Sequence, residues 1–322
     1  MTSLDRIGGL RSGRAVVFAV ILMAHASYIP NGFSWLDRGD IVEARAILPL
    51  GRLMEAISAP FGNTAFYRPL VTLMLSLDAA IYGLKAWGFH LTNVLLHLCV
   101  CAAFAWFVSR FLTVGTGAVM SGVVVAGIHP LSWLPTGAIS YRADLLVVLF
   151  LFLAAGSYVE VRKRRDVSWW SGCLGVAVAL SLLSKETALF WVPALILSWE
   201  VLRRRTGLTW RYGSKVGLSV TGAVLVGYVL VRFAVVPDIW SREAVPMVFE
   251  EAIATRLASF AVQVGYVLSP RLPALSDATQ IVGFAGPAWI GGIAILALFV
   301  GVVRGRGGRV GWLCAFFGIA LA

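Results

Sequence analysis

Four short polar stretches interrupt an otherwise apolar chain, and their residue types suit handling a proton or a phosphate. "GFSWLDRGDIVEARAIL" follows a first apolar run and carries Asp37, Asp40 and Glu43 at spacing i, i+3, i+6, so the three carboxylates could share one face of a short helix. A carboxylate within hydrogen-bond reach of a hydroxyl can act as its general base, and the same pattern also fits an ordinary solvated loop. "FYRPL" and "FHLTNVLLH" supply Tyr67 and Arg68, then His90, Asn93 and His97 at helical spacing. Two histidines and an asparagine are a weak ligand set for a metal, and none is assigned. Polar packing between helices is the plainer use of that face. "IHPLSWLPTGAISYRADLLVVLF" offers His129, Tyr141, Arg142 and Asp144, and "LLSKETAL" offers Lys185 and Glu186. Arginine presents a planar fork of donors to phosphate, and lysine a point charge. Arg142 and Asp144 could equally pair with each other, and Lys185 with Glu186.

The elements that hold these residues are membrane helices. The 322 residues are 59% hydrophobic and 13% charged, with a mean hydropathy of +0.84. Soluble domains run nearer to about 25% charged, so the composition describes a polytopic membrane protein. The net charge of +11 reads as cytoplasmic loops rich in Lys and Arg rather than as a nucleic-acid surface. Cys99, Cys101, Cys173 and Cys314 all lie in apolar runs without metal-ligand spacing and read as packing residues. A basic N-terminus (Arg6, Arg11, Arg14) precedes "AVVFAVILMAHASYIP", which reads as a retained first span.

Apolar runs near the length of a span fall at 14–30, 88–109, 114–129, 141–160, 167–184, 186–202, 213–236, 283–303 and 309–322. The runs 69–84 and 255–271 are interrupted and are placed on the outer face. "RKRR" (162–165), "RRRTGLTWRYGSK" (203–215) and "RGRGGR" (304–309) then fall inside. The inner face receives 16 basic and 4 acidic residues, and the outer face 11 basic and 12 acidic. The expectation is one all-α integral-membrane domain over residues 1–322. It has about nine transmembrane helices, and interfacial helices in a long first outer loop at 31–87. The chain stops inside an apolar run at "FFGIALA", as a fragment or a short family member would. Every polar stretch named above is gathered at one membrane surface.

"YRPL…FHLTNVLLH", "IHPLSWLPTGAISYRADLLVVLF" and "LLSKETAL" resemble the membrane domain of the transmembrane-and-tetratricopeptide-repeat O-mannosyltransferases and their bacterial relatives. These belong to the GT-C superfamily, with the protein O-mannosyltransferases. The resemblance covers about residues 30–200 and extends weakly through "YVLSPRLPALS" to 275. It implies an inverting transfer of a sugar such as mannose from a polyprenyl-phosphate donor to a hydroxyl of a protein or glycan. The work would be done on the outer face of a plasma membrane, with membrane lipid and the lipid-linked sugar as partners; no metal site is evident, and the cofactor is unknown from the sequence. It implies that Asp37 is the base, with Asp40 in reserve. The acidic pair is not adjacent here, because Leu36 precedes Asp37 and Arg38 follows it, and Ala44 stands near the place of a usual Asn. Arg142, Lys185 and His129 would face the donor phosphate, with Asp144 orienting Arg142 or touching the acceptor. Tyr67, Arg68, His90, Asn93, Tyr141 and Glu186 would line the substrates. The alternative is a transporter or flippase of lipid-linked sugars, which needs the basic face but no base. Matched inverted halves of the kind transporters often show are not visible. A scaffold subunit with an altered acidic motif is a third reading.

Overall fold

Carboxylates and guanidinium groups sort to the two ends of a helix bundle, and the apolar runs between them form its walls. The computed structural model describes residues 3–236, except 44–45, 63, 112–113, 130–131, 164–167 and 206–211. The chain divides into two units, Met1–Ile239 and Trp240–Ala322, and the described residues all belong to the first. The expected runs at 255–271, 283–303 and 309–322 lie outside the described residues.

Among the described residues there are helices and turns but no strand. The order is α1 (Ser3–Ala26), α2 (Trp35–Asp37), a π-helical turn (Arg38–Val42), a 3-10 turn (Leu50–Arg52) and α3 (Glu55–Ser58). Then come α4 (Pro69–Tyr82), α5 (Ala86–Phe111), α6 (Thr116–Gly127), α7 (Trp133–Gly137) and a 3-10 turn (Ile139–Tyr141). Finally come α8 (Arg142–Lys163), α9 (Ser168–Ser184), α10 (Ala188–Arg205) and α11 (Tyr212–Val235). Three stretches, Ala86–Phe111, Ile139–Lys163 and Gly213–Val235, are long and apolar enough to cross a bilayer, which makes the chain an integral membrane protein. Gly13–Ala26, Thr116–Gly127, Ser168–Ser184 and Ala188–Leu197 are apolar but shorter, so the described part does not supply the full expected set of spans.

The α8 helix is the hub. It packs most extensively on α9 and α5, and also on α10 and α11. Buried residues make up 72% of its most apolar window, against 11% for α11. Glycines allow the close approaches. Gly156 of α8 lies under the indole of Trp106, and Gly213 and Gly217 of α11 lie on the Val161 backbone and the Tyr158 ring. A Cβ at any of the three collides with its neighbour. The spacing of Gly213 and Gly217 is the small-xxx-small pattern of close helix crossings in membranes.

One end of the bundle is recessed. Counting at 1.5 Å per residue, His97 lies about 16 Å along α5 from Ala86. At that level α1 and α6 already stop, because the Nε2 atoms of His97 and His25 both reach the Gly127 carbonyl oxygen at 2.8 Å. The chain after α1 and after α6 therefore packs above those helix ends, beside the upper half of α5. These irregular segments are not solvated loops. Ile41, Ala46 and Phe61 form one buried core with Val71 and Leu75 of α4, Phe89 of α5, and Ile139, Ala143 and Leu146 at the start of α8. Pro69 opens α4 in the first-turn position that suits proline, and Gly83 closes it at φ +63°, where a side chain is strained.

Candidate functional site

The polar face of α5 explains how irregular backbone is tolerated beside the recess. His90 Nε2 lies 3.2 Å from the Gly32 oxygen, and Asn93 Nδ2 donates to the Pro135 and Ala138 oxygens at 3.3 Å. Together with His97 on Gly127, three residues at i, i+3 and i+7 bind carbonyls of successive loop segments. This is a packing role. Among the described residues no three His, Cys, Asp or Glu side chains come together as metal ligands.

Arg142 is fully enclosed, at 0% exposure, as is Asp37. Its Nη1 stands 2.6 Å from Asp78 Oδ2, its Nε donates to Asn93 Oδ1 at 2.8 Å, and its Nη2 donates to the Phe89 oxygen at 3.0 Å. Asp78 also accepts from Thr92 Oγ1 at 2.8 Å. Burial pushes the Asp78 carboxyl above the usual carboxylate range, against the opposing pull of Arg142 and Thr92. The expectation that Asp144 orients Arg142 is corrected here. Two residues along a helix turn about 200°, so Arg142 and Asp144 face apart. Asp144 instead accepts from Lys185 Nζ at 2.5 Å, joining the start of α8 to the α9–α10 turn. Nor does Arg142 look out toward a phosphate; its guanidinium is turned inward onto α4 and α5. The signal for its partner was present in the sequence, since Asp78 sits in an apolar run as anomalously as Arg142 does.

The acidic stretch does not present one shared face. Asp37 is buried, Asp40 is half-buried and Glu43 is exposed. The Asp37 carboxylate receives four donors. Ser34 N and Oγ give to Oδ2 at 2.9 and 2.7 Å, and Ser140 N and Oγ give to Oδ1 at 2.8 Å each. The Ser34 contacts cap α2, and the Ser140 contacts tie the acidic stretch to the turn that opens α8. Asp40, three residues on, lies in the π-helical turn. Tyr141 sits half-buried in the neighbouring 3-10 turn. His129 is half-buried after α6, and its carbonyl accepts from Ser132 N at 2.9 Å and Ser132 Oγ at 2.7 Å.

Glu186 is the second junction at this end. It accepts from Tyr67 N at 2.6 Å, pairs with Arg68 Nε at 3.1 Å and stands 3.5 Å from Arg232 Nη1. Arg68 stacks 4.1 Å from the Phe66 ring centre. Tyr67 is buried and donates its hydroxyl to the Ile57 oxygen at 2.8 Å. Burial raises its phenol above the ordinary range. The residues collected from sequence therefore fall into separate groups: Asp37, tied to Ser140, with Asp40 one turn on; Asp144–Lys185; and Arg68–Glu186–Tyr67. Sequence reading missed Asp78, Ser34, Ser140 and Arg232. The serines carry no signal of their own, and Arg232 reads as a basic residue ending an apolar run.

The opposite end carries a separate set. Arg162 pairs with Glu200 at 3.0 Å and donates to Ser214 Oγ at 2.7 Å, Tyr158 donates to Glu200 at 2.8 Å, and Arg110 pairs with Glu160 at 3.3 Å. These contacts bind helices α5, α8, α10 and α11 where "RKRR" was expected to be a charged loop.

The chain is similar to enzymes named protein O-mannosyl-transferases. It is 36% identical to mouse Protein O-mannosyl-transferase TMTC2 over 130 residues, which is 39% of this chain and 15% of the relative. It is 30% identical to Tmtc1 of Drosophila melanogaster over 198 residues, 58% of this chain and 22% of the relative. Human TMTC3 is 24% identical over 181 residues, 53% of this chain and 20% of the relative. The chain thus matches a minor part of the length of these curated relatives. No family model matches the chain, and no solved structure matches it.

Proposed function

We propose that this protein is a membrane glycosyltransferase that moves a sugar such as mannose from a polyprenyl-phosphate donor to a hydroxyl of a protein or glycan. The observation that carries the reading is the similarity to enzymes named protein O-mannosyl-transferases. The convergence of acidic and basic side chains from distant segments at one end of the bundle supports it.

The step is a single displacement. The acceptor oxygen bonds to the anomeric carbon as the bond from that carbon to the donor phosphate oxygen breaks. The electron pair leaves with the polyprenyl phosphate, the acceptor proton passes to a carboxylate, and the anomeric configuration inverts. We assign the base to Asp40 and a positioning role to Asp37, reversing the order the resemblance implied. All four contacts on the Asp37 carboxylate come from donors, so it serves as a clamp on Ser34 and Ser140. Asp40 is half-buried one turn away. Lys185, partly exposed and held by Asp144, is the cation offered to the departing phosphate, with His129 beside the recess. Arg142 acts through Asn93 and Asp78, by holding α4 and α8 to the polar face of α5.

The basic-residue asymmetry supports an orientation with this end of the bundle outside the cytoplasm. Purified protein incubated with polyprenyl-phosphate mannose and a set of peptide and glycan acceptors should yield mannosylated product and free polyprenyl phosphate by mass spectrometry. Movement of the intact lipid-linked sugar across proteoliposomes without product would replace this reading with transport.

A further inference from the structure

Tyr228 and Arg232 stand one turn apart on α11, and nothing in the proposed reaction has used them. Tyr228 is 6% exposed, and its hydroxyl meets the Arg232 guanidinium but finds no acceptor for its own proton among the described residues. Its ring lies 6.0 Å from that of Tyr67, and its charged neighbours are Glu186 and Arg232. A guanidinium is donor-only, so Arg232 cannot accept the Tyr228 proton. A buried hydroxyl without an acceptor is costly to keep.

Arg232 is held loosely. Its Nη1 lies 3.5 Å from Glu186 and its Nη2 lies 3.4 Å from the Ala65 oxygen, both long for N–H···O bonds. Glu186 spends its short contacts on Tyr67 N and Arg68. One carboxylate therefore serves two guanidinium groups, while Lys185 is already matched by Asp144. Among the described residues the cluster holds three basic side chains, Arg68, Lys185 and Arg232, against two acidic ones, Asp144 and Glu186, with a guanidinium held only by long contacts and a hydroxyl in need of an acceptor.

We infer that Arg232 and Tyr228, closed by Arg68 on Glu186, form a subsite for a phosphate oxyanion. A phosphate offers several acceptor oxygens and no obligatory proton, which satisfies the guanidinium fork and the phenol together. The inference rests on the transferase reading for its natural ligand, the phosphate of a lipid-linked sugar. It adds Arg232 and Tyr228 of α11 to the phosphate contacts assigned above to Lys185, which lies in the neighbouring α9–α10 turn.

The test is equilibrium binding to the purified full chain in nanodiscs. The probes are a short polyprenyl monophosphate, the matching uncharged polyprenol, and inorganic phosphate as competitor. Arg232→Ala should weaken polyprenyl phosphate about tenfold or more, which is about 1.4 kcal/mol. Tyr228→Phe should weaken it severalfold, Arg232→Lys should recover only part, and polyprenol binding should stay constant. Lys215→Ala, at the other end of α11, should change nothing. Tyr228→Phe removes one oxygen and keeps the ring, so it remains informative if Arg232→Ala fails to fold. Competition by inorganic phosphate that depends on Arg232 means that phosphate alone suffices. Binding that depends on Arg232 without such competition means that the lipid headgroup is required. Wild-type binding by both Tyr228→Phe and Arg232→Lys, or equal loss of polyprenol, overturns the subsite. Arg232-dependent binding with no sugar transfer sinks the transferase reading alone. Transfer with binding indifferent to Arg232 and Tyr228 sinks the subsite alone.

Discussion

Arg142 and Asp78 show what a pair of charges does in an apolar chain. Each is a liability alone, and together they join α8 to α4 with Asn93 and Thr92 completing the contacts. Removing one partner from a buried pair leaves an uncompensated charge, which typically costs about 3–5 kcal/mol. Arg142→Met and Asp78→Leu should each cause a loss of that size in denaturant unfolding. The double variant should recover much of it, because two apolar groups need no partner. Independent, additive losses would mean that the pair does not act as a unit. The sequence showed both residues as anomalies but not as partners. They lie 64 positions apart, and only the packing of α4 against the start of α8 brings them together. The nearer Asp144 was the natural guess, and helical geometry rules it out.

Helix crossings set where the polar groups can meet. Trp106 covers Gly156, and α11 approaches α8 through Gly213 and Gly217. Gly156→Leu should force the Trp106 indole aside and destabilise the bundle by about 1–3 kcal/mol, the usual cost of overpacking. Gly172→Leu should be nearly neutral, since a Cβ there meets nothing. Unfolding of the two variants in mixed detergent checks this, and equal effects would refute the crossing. Element identity was largely legible, because long apolar runs in a membrane chain form helices whatever their neighbours. Element length was less so. The shared contact of His25 and His97 with Gly127 marks where α1 and α6 stop, and the recess they leave depends on three helices ending at different heights. Within the segment 31–87, Ile41, Ala46 and Phe61 lie in a core whose partners include residues as distant as Ile139 and Leu146, which no local pattern shows.

Within the described unit, charged groups stand at opposite ends of the bundle, and the count of basic residues along the sequence predicts that the acidic-rich end faces outside. Gly51 and Gly115 are both exposed, and a Cβ at either meets nothing, so each can carry a cysteine. Gly51→Cys should react with an impermeant thiol reagent in intact cells, and Gly115→Cys should react only after permeabilisation. Labelling of both from one side would overturn the topology. The claim on which the account depends is that the outer layer performs transfer through a first-loop carboxylate. The most direct measurement sets turnover beside donor binding in Asp37→Asn, Asp40→Asn and the double variant. A positioned base contributes about 10²–10⁴-fold. The account predicts that Asp40→Asn loses turnover in that range with donor affinity nearly unchanged, and that Asp37→Asn loses stability along with rate. Full turnover in the double variant would contradict it.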